Sequence, residues 1–126
     1  MRVGVTCTAS NASVFSAPVQ GGLLFGINYT KASASAFATG STCTISFVGN
    51  TSSVDMDVSW DIMTFTGSSL SQVLYPRREM QTTAGASAGA MGGVMIPLVD
   101  GRVKINVASG GANGRGTFDL LIEGVI

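Results

Sequence analysis

The clearest pattern in the sequence is a strict alternation of apolar and polar residues from Val54 to Phe65. One set of alternate positions holds Val54, Met56, Val58, Trp60 and Ile62, and the other holds Asp55, Asp57, Ser59 and Asp61. Because successive side chains of a β-strand point to opposite faces, this stretch predicts a strand with one buried and one polar face. A helical period would instead spread the aspartates around the whole circumference.

Similar patterns predict a further eight strands. In chain order, with the stretch above as the fifth strand, they are Arg2 to Thr8, a short strand around Val14 and Phe15, Leu23 to Thr30, Ser41 to Val48, Leu70 to Tyr75, Val94 to Val99, Arg102 to Ala108 and Thr117 to Ile126. Lys31 to Gly40 predicts a loop. About eight or nine short strands without a helical pattern predict an all-β fold, and we favour an antiparallel β-sandwich, jelly-roll-like, over a barrel. The 126 residues have the usual size of one domain, which we place at 1–126.

Turn residues and prolines predict how these strands pair. A five-residue loop, residues 49–53, would join the fourth and fifth strands in a hairpin. Asp100-Gly101 would join the seventh and eighth strands, because Asp-Gly is typical of the type I′ turn of a two-residue hairpin. Pro18 and Pro97 cannot donate to a ladder and therefore predict edge strands.

The parity of positions within each strand predicts which side chains are buried. The third strand is predicted to turn four residues to the core: Leu23, Phe25, Ile27 and Tyr29. Its Gly26 marks a place where a neighbouring backbone comes close. Cys7 and Cys43 share parity with apolar neighbours and are predicted to be buried. They would act as small hydrophobic residues, or form a disulfide if the protein matures outside the cytosol.

The composition favours a protein that assembles with others. Hydrophobic residues make up 45% of the chain and charged residues 11%, against roughly 25% charged in an average globular protein. The formal net charge is zero, and proteins near zero charge tend to associate. A surface coated with serine, threonine and asparagine is the alternative. The cations are scattered, without the basic stripe that follows phosphates, so nucleic acid is not expected as the main partner.

Membrane insertion and export are not expected either. The apolar run from Gly21 to Tyr29 is interrupted by Gly26 and Asn28, and it falls short of the roughly 20 residues that a membrane helix needs. The N-terminal stretch lacks the apolar core of a signal peptide. We therefore expect synthesis in the cytoplasm.

The sequence predicts no enzyme, cofactor or metal site. Histidine is absent, and two cysteines are too few for a four-cysteine zinc site or an iron–sulfur cluster. Asp55, Asp57 and Asp61 share one strand face, but ligands spaced along a straight strand diverge from a single ion. We expect these carboxylates to be solvated or to pair with Arg102 and Lys104, which repeat the two-residue spacing with opposite charge. A small glycosidase that uses the aspartate row is the enzymatic alternative.

A glycine-rich loop from Ser109 to Gly116 superficially resembles a phosphate-binding loop. It lacks the lysine-serine ending and lies between two strands, whereas a phosphate-binding loop opens a helix. We therefore expect a mobile hairpin loop.

The segment from Tyr75 to Gly93 combines dense charge with a Gly/Ala-rich run. YPRREM, at 75–80, holds the densest charge in the protein, and QTTAGASAGAMGG, at 81–93, has Met91 as its one large side chain. The Gly/Ala-rich run has too little apolar surface to repay its own ordering, so it is not core. It is predicted to be either an arm, on the surface or between subunits, or an inert loop. The candidate interface residues are Asp55, Asp57, Arg77, Arg78, Glu79, Met91, Arg102 and Lys104.

Two stretches carry a resemblance to a known family: the arm QTTAGASAGAMGG beside YPRREM, and the ending VKINVASGGANGRGTFDLLIEGVI. With them, the chain resembles in general character the head decoration, or cement, proteins of tailed bacteriophages. The resemblance implies a structural virion protein, a homo-oligomer with a trimer favoured, that binds the major capsid protein or another virion protein and stabilises the lattice. The alternative is a carbohydrate- or receptor-binding sandwich of the tail-fibre or adhesin type. It requires Tyr29, Tyr75 or Phe65 on one exposed surface.

Overall fold

The computed structural model describes residues 1–49, 59–66, 71–79 and 93–124. Within these ranges the chain forms eleven β-strands and no helix, which confirms the all-β prediction. The strands are β1 (Arg2–Thr6), β2 (Ala12–Phe15), β3 (Gly22–Lys31), β4 (Thr42–Gly49), β5 (Ser59–Thr66), β6 (Gln72–Leu74), β7 (Arg78–Glu79), β8 (Gly93–Val94), β9 (Ile96–Leu98), β10 (Gly101–Ala108) and β11 (Arg115–Glu123).

Nine of these strands form two antiparallel sheets that face each other. The five-stranded sheet has the order β1-β11-β3, and both β6 and β9 pair with the other edge of β3. The four-stranded sheet has the order β2-β10-β4-β5. A short ribbon of β7 and β8 comes between β6 and β9 in the chain. The predicted β-sandwich is therefore confirmed, and its jelly-roll variant stays a prediction.

The core lies between the sheets and is built from alternate positions of the long strands. On β4, β10 and β11 the predicted inward residues are buried: Cys43, Ile45, Phe47, Val103, Ile105, Val107, Phe118 and Leu120. The ring of Tyr29 lies among aromatic neighbours, with its centroid 5.0 Å from that of Phe118 and 6.0 Å from that of Phe37. Cys7 and Cys43 are both buried as predicted, and no disulfide joins them.

The predicted inward face of the third strand is wrong in its first half. Leu23 and Phe25 are exposed and Leu24 is buried, whereas Ile27 and Tyr29 point inward as expected. The cause is a bulge: Leu121 of β11 pairs with Gly26, but the next residue, Ile122, pairs with Leu24. Phe25 is thus one residue too many for the ladder, and the alternation changes sides there.

The hairpin predicted at Asp100-Gly101 is also wrong. β9 pairs with β3 in the five-stranded sheet, while β10 pairs with β2 and β4 in the four-stranded sheet. The Asp-Gly pair therefore crosses from one sheet to the other. Gly101 is needed for a different reason, since a β-carbon there would overlap the carbonyl oxygen of Val48.

The hairpin of the fourth and fifth strands is confirmed as an antiparallel pair, but its register differs from the prediction. Val48 pairs with Ser59, whereas a five-residue loop would have placed Val54 opposite Val48. Residues 50–58, and with them Asp55 and Asp57, lie outside the described residues. Within β5 a second bulge falls at Ile62, because Ile45 pairs with Met63 and Ser46 with Asp61.

The loops between strands contain more of the core than the sequence indicated. Residues 32–41 form a loop as predicted, yet its Phe37 is buried to 2% exposure. The glycine-rich loop joins β10 to β11, which lie in different sheets, so it is not a hairpin. Its Gly110 and Gly114 are buried, and a β-carbon on Gly114 would come within 3.2 Å of the Phe37 ring.

Both proline-marked strands lie at edges, as predicted. Among the described residues β2, which Pro18 follows, pairs with β10 alone, and β9, which contains Pro97, pairs with β3 alone. Each strand thus leaves one side of its backbone outside the ladder, where a proline costs no hydrogen bond.

Candidate functional site: an apolar stripe on the five-stranded sheet

The outer face of the five-stranded sheet carries a set of exposed apolar side chains. We call this set the apolar stripe: Leu23, Phe25, Tyr75 and Leu121. Their exposed fractions run from 38% for Phe25 to 58% for Tyr75. A shallow groove of about 490 Å³ lies along it, lined in part by Met1, Phe25 and Leu121. Most monomers scatter large exposed apolar side chains singly, whereas here four of them cluster on one face.

The bulge in β3 produces this stripe. Because Phe25 is the extra residue, both it and Leu23 point to solvent at positions that simple alternation assigns to the core. On the neighbouring β11, Leu121 points outward because Leu120 and Ile122 pack inward. Gly26 leaves room for Tyr75 on this surface, since a β-carbon there would lie 3.2 Å from the Leu74 carbonyl oxygen and 3.3 Å from the Tyr75 ring. The close approach predicted at Gly26 is confirmed.

A cation is held on the aromatic end of the stripe. The rings of Phe25 and Tyr75 meet edge to face with centroids 5.9 Å apart. The guanidinium carbon of Arg77 lies 5.6 Å from the Phe25 centroid and 6.0 Å from the Tyr75 centroid, within the range of cation–π attraction. Arg77 Nη1 donates to the carbonyl oxygens of Phe25, at 2.7 Å, and Pro76, at 2.8 Å. These two hydrogen bonds hold Nη1 of the guanidinium in place, and they do not use the N–H groups of Nε and Nη2.

An exposed carboxylate lies on the other side of Phe25. Glu123 is on β11, lines the same groove, and forms no ion pair among the described residues. Farther along the outer face of β11, the Asp119 carboxylate is already paired, with its Oδ1 2.8 Å from Arg2 Nε. The hydrogen bond from Arg2 lowers the pKa of Asp119, and the same bond raises the pKa of Arg2. Neither Arg77 nor Glu123 forms an ion pair with another residue in the described part of the chain.

The structure brings one of the eight predicted interface residues, Arg77, into this stripe. Arg78 and Glu79 form β7, where they pair with Val94 and Gly93. Met91, Asp55 and Asp57 lie outside the described residues.

The remaining two, Arg102 and Lys104, lie on the outer face of the other sheet. Lys104 Nζ is 5.8 Å from the centroid of the Phe15 ring. Lys104 pairs with Ser46, which in turn pairs with Asp61, so a whole strand separates this cation from the nearest described member of the aspartate row. No ion pair joins Arg102 or Lys104 to Asp61, and the hypothesis for Asp55 and Asp57 falls outside the described residues.

Two of the three aromatic residues suggested as a sugar platform are not available on a surface. Tyr29 is fully buried, and Phe65 packs inward with its centroid 6.0 Å from that of Tyr29. Tyr75 alone is exposed, beside Phe25, which the sequence pattern had assigned to the core. In the sequence, Gly26 is the one signal that Phe25 is not in the core. A glycine within a strand marks an irregular or crowded place, but it does not show which neighbouring side chain turns outward.

The chemistry of the described residues is limited. No group of three histidine, cysteine, aspartate or glutamate side chains lies close enough together within them to hold a metal ion. Burial raises the pKa of the Cys7 thiol, which favours its protonated form. The described ranges also contain no helix with the length and hydropathy to cross a membrane.

Comparison of the chain with protein-family models, with curated proteins and with solved structures gave no match.

Proposed function

We propose that the protein is a structural component of a phage virion that oligomerises and stabilises a capsid lattice through protein–protein contacts. The observation that carries this proposal is the apolar stripe with Arg77 at its end. Tyrosine and arginine are enriched among the residues that dominate binding energy at interfaces, and an exposed apolar surface is costly unless a partner covers it. A charged fraction of 11% and a net charge of zero add to the tendency to associate.

The action proposed for such a protein is mechanical. Each copy would bury additional surface across a seam between capsid subunits, so that opening the seam exposes more apolar area to water. The run at 81–93, the proposed assembly arm, would add to this interface by becoming ordered against a neighbouring subunit. No catalytic group or cofactor enters this function.

The test is co-expression with the major capsid protein encoded in the same genome, followed by gradient sedimentation of the particles. We expect the protein to sediment with the capsids and to raise the temperature at which they rupture. Capsids that reach full stability without it, together with its absence from the particle fractions, would contradict the proposal.

A second candidate is a carbohydrate- or receptor-binding sandwich, and the exposed pair of Tyr75 and Phe25 is the observation that favours it. Aromatic faces and a fixed arginine are suited to sugar rings and their hydroxyl or acidic substituents. Binding to a glycan array that is lost in Tyr75→Ala would favour this candidate over the structural one.

A further inference from the structure

Arg77 and Glu123, which form no ion pair among the described residues, lie on opposite sides of the stripe. Arg77 follows β6 and contacts Phe25 from that side, while Glu123 is on β11, the neighbour of β3 on the other side. Between them the surface is apolar, with Phe25 and Leu121 at its middle. The surface thus runs from a cation through apolar side chains to an anion.

A surface of this kind is complementary to itself. A second copy can be rotated by 180° about an axis through the middle of the stripe. Its anionic end then meets the cationic end of the first copy, and its cationic end meets the anionic end of the first copy. The apolar middles then meet each other. A partner with a uniformly charged or wholly apolar surface would leave one of these two charges unpaired as it is removed from water, which is costly.

We infer that the apolar stripe is the contact surface between two copies of this chain related by a two-fold axis, with Arg77 of each copy opposite Glu123 of the other. The inference rests on the proposed function in that it names the surface through which the protein self-associates. Arg77 is suited to the role because its two backbone hydrogen bonds fix the guanidinium before association, which reduces the entropy lost on binding.

This inference has a consequence for stoichiometry. A two-fold contact closes on itself and builds assemblies with an even number of chains. The smallest unit is then a dimer, whereas the resemblance to head decoration proteins favoured a trimer. The mass of the assembled protein in solution distinguishes the two.

The experiment is a charge exchange, read by sedimentation equilibrium. Arg77→Glu and Glu123→Arg are each expected to weaken self-association by at least about tenfold, because each places two pairs of like charges against one another. The double variant R77E/E123R restores opposite charges across the contact and is expected to recover most of the lost affinity. Tyr75→Ser and Leu121→Ser, which leave both charges in place, should weaken association as well.

Two control variants keep the experiment specific. Lys31→Glu reverses an exposed charge at the other end of β3, and Phe15→Ser removes a 48% exposed aromatic ring from the other sheet. Neither should change the association constant. The thermal unfolding midpoint of every variant confirms that a loss of association is not a loss of fold.

The inference is overturned if the folded single charge variants associate like the wild type, or if the double variant does no better than either one. A trimer that is indifferent to all the stripe variants, yet still sediments with capsids, would overturn the two-fold contact and leave the proposed function standing. A dimer whose association responds to the stripe variants as expected, but which never binds capsids, would support the two-fold contact and contradict the proposed function.

Discussion

Phe37 shows how one loop residue completes the core between the two sheets. Its ring is stacked on Tyr29, with 10° between the planes, and the three glycines Gly110, Gly114 and Gly116 leave the space that it fills. A β-carbon on Gly116 would lie only 2.8 Å from the Phe37 ring. The glycine-rich loop is therefore explained by close packing around an aromatic ring, and a phosphate is not needed to account for it.

The substitution Phe37→Ala is expected to lower the free energy of unfolding by about 3–5 kcal/mol, because it removes a buried ring and leaves a cavity that rigid strands cannot close. Denaturant unfolding followed by the fluorescence of Trp60 measures this change. Phe15→Ala, at a half-exposed ring, is the matched control and should cost less, about 1 kcal/mol. Equal effects at the two positions would show that Phe37 is not part of the core.

At the scale of elements, the connection from β9 to β10 decides how the two sheets are joined. Gly101 lies where this connection enters the four-stranded sheet, pairing with Gly49 and exchanging hydrogen bonds with Val19. Gly101→Ala is expected to cost about 1–3 kcal/mol of unfolding free energy, because the new β-carbon has to displace the Val48 backbone or the Phe47 ring. Gly4→Ala, in β1, has no atom within 4 Å of the new β-carbon and should be neutral or slightly stabilising. A Gly101→Ala protein as stable as the Gly4→Ala protein would contradict the close packing of Gly101 against Val48 and Phe47.

The same elements show what the sequence could and could not predict. Parity placed the inward faces of β4, β10 and β11 correctly, because each strand keeps one period from end to end. The period fails at Phe25, where both Leu24 and Phe25 are apolar and only the ladder with β11 decides which one turns inward. The hairpin prediction at Asp100-Gly101 fails because a local turn signal does not specify whether the following strand joins the same sheet.

The candidate site was harder to predict than the fold for the same reason. The stripe depends on the bulge at Phe25, so side chains that the pattern assigned to the core became its surface. Arg77 was selected from the density of charge around it, and its contacts with Phe25 and Tyr75 arise from the pairing of β6 with β3. Pairing between distant parts of the chain leaves no local signature in one sequence.

On the scale of the whole molecule, the two outer faces of the sandwich differ in the described part of the chain, and the apolar stripe lies on the five-stranded sheet. The outer face of the four-stranded sheet is mostly hydroxyl-bearing, with Thr44 pairing with Thr64 and Thr42 with Thr66. Arg102 and Lys104 lie on this same outer face, and they therefore point away from the stripe. Association through the five-stranded sheet would leave this hydroxyl-rich face free for solvent or for a second partner.

The central claim is that the stripe is a contact surface, and the mass of the wild-type protein in solution tests it most directly. Sedimentation equilibrium over a range of concentrations should give at least twice the 12.8 kDa of a single chain, with a mass that falls on dilution as the contact dissociates. A mass of one chain at every concentration, for protein shown to be folded, would contradict the account.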